Sequence, residues 1–314
     1  MSHPEYAFFD GKIVPISEAK VSVMTHALHY GTGVFAGMRA YWNADEEQLF
    51  IFRARDHFER FRQSASLLRI TIPYSEAELT SILSQLVRTE DYHQDIYIRP
   101  LAFKGGESIG VQGLSDQPDS VTIFAQPTTG YIENPPRLHL CFSAWRRVDD
   151  NAIPARGKIA GAYANSSLIK EDARLAGYDE ALVLTNDGHI SEASTSNVFM
   201  MRKGVLITPS ITSNVLEGIV RRSIIEMARN TLGLEVVERE IDRTEAYICD
   251  EMFLCGTGMQ VAPVTQIEHR TIGTGGIGSI TSQIRKLFFN VVTGHEPQYR
   301  HWLTPVYLPE QIAK

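Results

Sequence analysis

The residues best suited to covalent chemistry lie in Arg156-Gly157-Lys158-Ile159-Ala160-Gly161-Ala162-Tyr163, a lysine among small and apolar neighbours with a tyrosine at the end of the run. A lysine held where its ammonium is poorly solvated has a lowered pKa, and the neutral amine can condense with an aldehyde. The plain alternative is a lysine that opens a helix, which base rates favour until other residues decide. Glu192, in Ile190-Ser191-Glu192-Ala193-Ser194-Thr195-Ser196-Asn197, is a single acid among small hydroxyl residues between two strands, the placement of a site carboxylate. Gly218-Ile219-Val220 opens a helix after the Pro209-Ser210 break, so its backbone N–H groups and positive dipole end suit a phosphate. Cys255-Gly256-Thr257-Gly258 follows the apolar strand Met252-Phe253-Leu254 and offers one hydroxyl and two approachable amides, or else is merely a turn. Arg60 lies off the helical face made by Phe58 and Phe61 and by itself reads as solvated.

Two rival chemistries fail on context. Gly31-Thr32-Gly33-Val34-Phe35-Ala36 and Gly273-Thr274-Gly275-Gly276-Ile277-Gly278 mimic the fingerprint of a nicotinamide-dependent dehydrogenase. The first runs into a strand where a helix is needed, and the second lies too near the C-terminus for the following strand whose acid binds the ribose. His26-Ala27-Leu28-His29 could pair two imidazoles, yet no carboxylate or third histidine follows at ligand spacing, so the histidines read as structural and no metal is expected.

The elements that must position these groups fall in two sets. Tyr6 to Phe9 and Lys12 to Val14 flank the Asp10-Gly11 turn, and Val34 to Trp42 and Leu49 to Phe52 flank Asn43-Ala44-Asp45-Glu46-Glu47, two expected hairpins. From Asp56 the period becomes helical through Phe58, Phe61, Ala65 and Leu68, and Ser75 with Glu78 forms a capping box ahead of Leu79, Ile82, Leu83 and Leu86. Strands are expected at Ile96 to Phe103 and Val121 to Ala125. Prolines and glycine interrupt both periods over Thr128 to Pro136, which places a boundary between a small N-terminal domain, 1–127, and a large C-terminal one, 137–314, that carries Lys158. Beyond it come a strand at Leu138 to Trp145, a helix with Leu168, Ile169 and Leu175 that stops at Gly177, hairpins at Asn186-Asp187-Gly188 and Lys203-Gly204, a helix from Glu217 to Leu232, strands at Glu235 to Ile241 and Met252 to Cys255, and a helix from Ser279 to Val292. Strands grouped with strands argue for α+β, mostly antiparallel, with packed helices.

The 314 residues, 43% hydrophobic, can fill two cores. The formal charge of -7 provides no basic field for nucleic acid. Cys141, Cys249 and Cys255 are odd in number and lack paired spacing, which fits a reducing cytoplasm. No basic-then-apolar leader and no 18-residue apolar run occurs, so secretion and membrane insertion are not expected.

Taken together, the order Arg60, Lys158, Tyr163, Glu192, Gly218-Ile219-Val220, Cys255-Gly256-Thr257 resembles the fold-type IV, class IV pyridoxal-phosphate aminotransferases, and within them most resembles the branched-chain amino-acid aminotransferases. The similarity runs from about Phe8 to Gly294 and includes His26-Ala27-Leu28-His29-Tyr30-Gly31, Tyr97-Ile98-Arg99-Pro100, Gly188-His189-Ile190-Ser191-Glu192 and Leu216-Glu217-Gly218-Ile219. By this resemblance Lys158 anchors pyridoxal 5'-phosphate and moves the substrate Cα proton, while Glu192 sits against the pyridine nitrogen and keeps it protonated. Tyr163 donates to the ring 3-oxygen; Arg60, Leu216, the amides of Ile219 and Val220, and Thr257 hold the rest of the cofactor, chiefly its phosphate. The substrate carboxylate lies on the amides of Gly258 and Met259 with help from Tyr97; Tyr30, Phe35, Tyr131 and Tyr163 line the side-chain pocket; Arg99 receives the second carboxylate of glutamate.

The resemblance also implies a homodimer or an assembly of dimers, with Tyr30 and the loop near Val111 reaching the neighbour's site. Four positions depart from the family's habit: Ala36 where glutamate is frequent, Thr128 where tryptophan is common, Val220 where threonine is usual, and Gly258-Met259 where two alanines are typical. The expected activity is exchange of the amino group of leucine, isoleucine or valine with 2-oxoglutarate. A D-amino-acid or R-selective amine transaminase, or an aminodeoxychorismate lyase, are the alternatives on the same fold; Tyr97-Ile98-Arg99 speaks for the branched-chain subgroup.

Overall fold

The computed structural model describes residues 3–128 and 137–307. The chain runs through β1 (Tyr6–Phe9), β2 (Lys12–Pro15), α1 (His26–Tyr30), β3 (Gly33–Phe35), β4 (Met38–Asn43), β5 (Gln48–Phe52), α2 (Ala54–Leu67), α3 (Glu76–Glu90), β6 (Ile96–Lys104) and β7 (Asp119–Pro127). It continues with β8 (Leu138–Arg146), α4 (Tyr163–Leu175), β9 (Glu180–Leu184), β10 (Ile190–Ala193), β11 (Asn197–Arg202) and β12 (Val205–Thr208). Then follow α5 (Ile219–Asn230), β13 (Val236–Glu238), β14 (Glu251–Gly256), β15 (Gln260–Ile267), β16 (Arg270–Thr271), α6 (Ser279–Val292) and β17 (Leu303–Pro305).

These form two compact units. The first takes the described residues up to 128 together with Gly157–Gly161 and 290–307; the second takes 137–156 and 162–289. The first holds a sheet ordered β17-β5-β4-β6-β7-β1-β2 with β3 also on β6, and the second a sheet ordered β10-β9-β8-β15-β14-β11-β12-β13 with β16 on β15. Only the β8 pairings with β9 and β15 and the β12–β13 pairing are parallel among the described strands. The architecture is α+β and mostly antiparallel, as the grouped strands require.

The N-terminal hairpin turns at Asp10 and Gly11, whose φ of 42° and 96° are the positive pair that a two-residue turn demands. The expected strand from Val34 to Trp42 is two strands in one register, since Val34 faces Ala102 and Met38 faces Ile98 across β6. The ladder fails between them at Ala36 and Gly37: Ala36 donates to the Pro100 carbonyl at 2.9 Å, but Pro100 has no N–H to return. Helix α2 buries Phe58, Phe61 and Ala65, and α3 buries Leu79, Leu83, Leu86 and Val87, each large apolar side chain stabilising the unit by ~1.5–3 kcal/mol. The capping box at the start of α3 is complete: the Ser75 hydroxyl accepts from Glu78 N at 3.2 Å, and the Glu78 carboxylate accepts from Ser75 N at 2.7 Å.

In the second unit every residue of β9 is buried, because both faces of the strand are covered. Leu182 and Leu184 join Leu140, Met200, Leu254 and Val264 on one face. Ala181 and Val183 meet Ile169 and Ala173 of α4 on the other. The helix expected with Leu168, Ile169 and Leu175 is α4, which ends at Leu175 just before Gly177. Ser166, Ile169 and Ala173 point inward at helical spacing, while Leu168 and Leu175 are exposed.

The segment carrying Lys158 departs from the expected domain assignment. Its residues cluster with the first unit because its backbone pairs there: Ile159 forms an antiparallel bridge with Val34, and Phe35 N donates to Lys158 O at 3.0 Å. Residues 290–307 return to the same unit, with β17 paired with β5. Among the described residues no helix is long and apolar enough to cross a membrane.

Candidate active site

In the first unit Lys158 is fixed through its main chain. Besides the bond from Phe35, Lys158 N donates to Ser64 Oγ at 3.1 Å, and the Ser64 hydroxyl donates in turn to Arg60 O at 2.9 Å, which ties α2 to the lysine segment. Gly161 N donates to Gly31 O at 3.3 Å; Gly31 has φ 66°, and an added Cβ would lie 2.7 Å from Gly161 Cα, so only glycine permits this approach. Arg60 is buried, 9% exposed, which corrects its reading as a solvated arginine: α2 is covered around Phe58 and Phe61 widely enough to enclose the position between them.

The Lys158 Nζ lies 5.0 Å from the centre of the Phe35 ring, and the Arg99 guanidinium carbon lies 4.6 Å from that same ring. Tyr97 and Arg99 alternate on β6 and so share a face, where Arg99 Nη2 donates to Tyr97 Oη at 3.1 Å. The Arg99 Nε is buried with no hydrogen-bond partner among the described residues, a donor that a second carboxylate would satisfy. Tyr30 Oη accepts from Gly110 N at 2.7 Å, and His26 bonds Thr32 Oγ1 at 2.7 Å and Gly110 O at 3.1 Å, so α1 holds the 105–113 loop and His26 is structural.

In the second unit Glu192 is fixed through its side chain. A register shift between Ile190 and Glu192 marks a bulge against β9, the kind of irregularity that re-aims a side chain beside a site. The carboxylate is buried. One oxygen lies 2.8 Å from Arg147 Nη2; the other accepts from Asn197 Nδ2 at 2.8 Å and Leu216 N at 3.3 Å. Asn197 Nδ2 also donates to Leu216 O at 3.0 Å, locking Leu216 into the same network. Sequence reasoning does not find Arg147 and Asn197: nothing in their local spacing marks them, and only the β8–β9–β10 neighbourhood and the start of β11 bring them to Glu192.

Gly218 is the N-cap of α5 and supplies no side-chain cap, which leaves the first-turn amides of Ile219 and Val220 to other acceptors. A Cβ on Gly218 would overlap Asn197 Oδ1. Tyr163 is the first residue of α4 and is half-buried. Thr257, Gly258 and Met259 form the turn from β14 to β15; Met259 packs on the core, Thr257 is half-buried and Gly258 is exposed. Tyr131 lies outside the described residues.

None of the three thiols is activated: burial raises that of Cys141, pushes that of Cys249 up to about 12 and raises that of Cys255 further. Asp187, His189 and Glu240 converge on the surface of the second unit, with His189 Nδ1 3.3 Å from Asp187.

Residues 33–267 match the family described as amino-transferase class IV. The chain is 44% identical over 303 residues to a protein of Aquifex aeolicus named probable branched-chain-amino-acid aminotransferase, covering 96% of this chain and 97% of that one. It superposes on the branched-chain amino acid aminotransferase of Thermobaculum terrenum in its PLP-form with a TM-score of 0.93 at 40% identity, covering 97% and 99% of the two chains. It also superposes on the T.th. branched-chain amino acid aminotransferase complexed with N-(5'-phosphopyridoxyl)-L-glutamate, with a TM-score of 0.92 at 40% identity and coverage of 97% and 99%. The chain belongs to the class IV aminotransferases.

Proposed function

We propose that this protein binds pyridoxal 5'-phosphate and exchanges the amino group of leucine, isoleucine or valine with 2-oxoglutarate. The residues present fit such a cofactor in each unit. The first supplies a lysine amine beside an aromatic ring; the second supplies a buried carboxylate held by an arginine and two N–H donors, and an uncapped helix start whose glycine leaves room beside Asn197. Pyridoxal phosphate, when bound, supplies an aldehyde that condenses with amines and a ring that accepts the electron pair released at Cα.

Lys158 would hold the cofactor through its amine and would take and return the substrate Cα proton. Glu192, held by Arg147 and by the Asn197 and Leu216 N–H groups, would meet the pyridine nitrogen and favour its protonated form. Tyr163 would donate to the ring 3-oxygen. Arg60, Thr257, Leu216 and the Ile219 and Val220 amides would hold the phosphate end, where the dipole of α5 favours negative charge. Gly258 and Met259 would present amides to the substrate carboxylate.

The observation that carries the substrate assignment is the Phe35 ring, approached by both the Lys158 amine and the Arg99 guanidinium. A substrate whose reacting carbon is at Lys158 lays its side chain on an apolar surface that ends at an arginine. Leucine is accepted by the ring, and glutamate by the ring and the unpaired Arg99 Nε. The relative complexed with a phosphopyridoxyl-glutamate adduct supports the second half. Arg99→Leu tests this with the two half-reactions measured separately by the loss and return of the cofactor's yellow colour. The glutamate half-reaction should lose about tenfold or more in kcat/KM beyond any loss with leucine, about 1.4 kcal/mol. Equal losses would remove Arg99 from the reading; no bleaching with L-leucine but bleaching with a D-amino acid or an R-amine would replace the activity itself.

The protein acts as a cytoplasmic homodimer. Val23, Leu28, Ile109 and Val111 expose 78%, 66%, 87% and 72% of their surface around the α1–loop junction, an apolar face that a second copy would cover. Tyr30, which holds that loop, then reaches the neighbour's substrate.

A further inference from the structure

We propose that Gly37 determines selectivity for the second carboxylate, by leaving the notch that seats the Tyr97 hydroxyl and thereby fixes Arg99. This inference rests on the aminotransferase reading above. The shared register of β3 and β4 on β6, with Val34 opposite Ala102 and Met38 opposite Ile98, puts Gly37 opposite Arg99. Directly opposed residues of an antiparallel pair direct their side chains to the same face, and Tyr97 lies on that face two residues from Arg99. Position 37 is thus the place on the neighbouring strand where a side chain would enter the Tyr97–Arg99 cluster.

The contacts agree with the register. A Cβ built on Gly37 would overlap Tyr97 Oη and stand 3.0 Å from Tyr97 Cζ. Tyr97 Oη is the acceptor for Arg99 Nη2 at 3.1 Å, and the guanidinium it holds lies over the Phe35 and Tyr97 rings at 4.6 and 5.3 Å. With Nη2 occupied by the phenol, Nε remains as the buried donor without a partner among the described residues. A methyl group at position 37 forces the phenol out, and Arg99 loses the contact that sets which of its donors faces the pocket. An apolar side chain is indifferent to that choice, and whatever help Tyr97 gives the α-carboxylate is common to both substrates. A dicarboxylate is not indifferent, because its distal charge must be paired when water is excluded.

The test uses the holoenzyme, glutarate as a non-reacting dicarboxylate and pentanoate as the monocarboxylate of equal length, with calorimetry for binding and separate half-reactions for leucine and glutamate. Gly37→Ala should weaken glutarate at least about tenfold more than it weakens pentanoate, and should raise the glutamate KM more than it lowers kcat; these are ordinary sizes for one misplaced charged contact. In a Tyr97→Phe background, where the overlapping oxygen is gone, adding Gly37→Ala should change glutarate affinity less than about twofold and should restore any melting temperature lost in the single variant. Equal weakening of both acids, no weakening of glutarate, or no rescue by Tyr97→Phe would overturn the role of Gly37. Wild-type protein that neither bleaches with leucine nor discriminates glutarate from pentanoate would instead overturn the reading on which it rests.

Discussion

Lys158 and Glu192 are held in opposite ways. The lysine is anchored by its main chain, through Ser64, Phe35 and the Ile159 bridge, whereas the glutamate is anchored by its carboxylate, through Arg147, Asn197 and the Leu216 amide. In the proposed roles, Lys158 carries a proton between atoms from a backbone bonded in one place, and Glu192 holds a charge against one ring nitrogen with its oxygens bonded in place. The difference predicts that removing the two side chains will damage different properties.

The largest effect is expected from Lys158→Ala, which should lower turnover by at least ~10⁴-fold, because covalent attachment and proton transfer are lost together. The main-chain contacts survive the substitution, so the thermal midpoint measured by circular dichroism on cofactor-free protein should stay within a few degrees of wild type. Activity above a trace without added amine would remove the lysine from its role. A collapse of the fold would break the contrast with Glu192.

Glu192→Gln should slow both half-reactions by roughly 10²–10³-fold, the usual cost of removing one preorganised charge from a site. Unlike the lysine variant it should also unfold more readily, by about 1–3 kcal/mol, since Arg147 keeps a hydrogen-bond acceptor but loses its counter-charge. Denaturant titration of the cofactor-free protein separates the two effects; unchanged stability would mean that the side-chain network only surrounds Glu192 without supporting the unit.

Legibility in the sequence follows the same division. Groups whose surroundings are local in the chain can be read directly: the Asp10-Gly11 hairpin, the Ser75–Glu78 capping box and the start of α5 at Gly218 all declare themselves within a few residues. Groups defined by contacts distant in the chain cannot. Arg147 and Asn197 are ordinary polar residues until β8 and β11 bring them to Glu192. The break at Gly37 depends on Pro100 in another strand, and the burial of Arg60 depends on what covers α2. A helix after Lys158 is evident in the sequence but its inward face is not: Leu168 and Leu175 are exposed, while Ser166, Ile169 and Ala173 are buried against strands distant in the chain. Resemblance to a family supplies roles for distant residues that spacing cannot.

Gly218 extends the contrast to the backbone around Glu192. A Cβ there would overlap Asn197 Oδ1, and Asn197 holds both the Glu192 carboxylate and the Leu216 carbonyl, so Gly218→Ala should transmit its strain directly into the fixed group. Overpacking of this kind costs ~1–3 kcal/mol. Loss of cofactor on dialysis, with about tenfold weaker retention of pyridoxal phosphate than wild type, is the expected readout. Retention as tight as wild type would show that Asn197 can move without disturbing the carboxylate.

The smallest effect is expected at Gly258, where the family's habit is alanine. Its surroundings are the reverse of those at Gly218: the residue is exposed, no atom lies within 4 Å of where a Cβ would stand, and its φ is outside the positive range that side chains avoid. Neither space nor backbone conformation therefore requires glycine, and the amide proposed to meet the substrate carboxylate is present in alanine as well. Replacing glycine removes conformations open to the unfolded chain, which stabilises the native state by about 0.4–1 kcal/mol where the geometry is already compatible. Gly258→Ala should accordingly raise the thermal midpoint slightly and leave kcat/KM for leucine within about twofold. If activity falls by tenfold while stability rises, the turn must adopt, during turnover, a conformation that alanine resists.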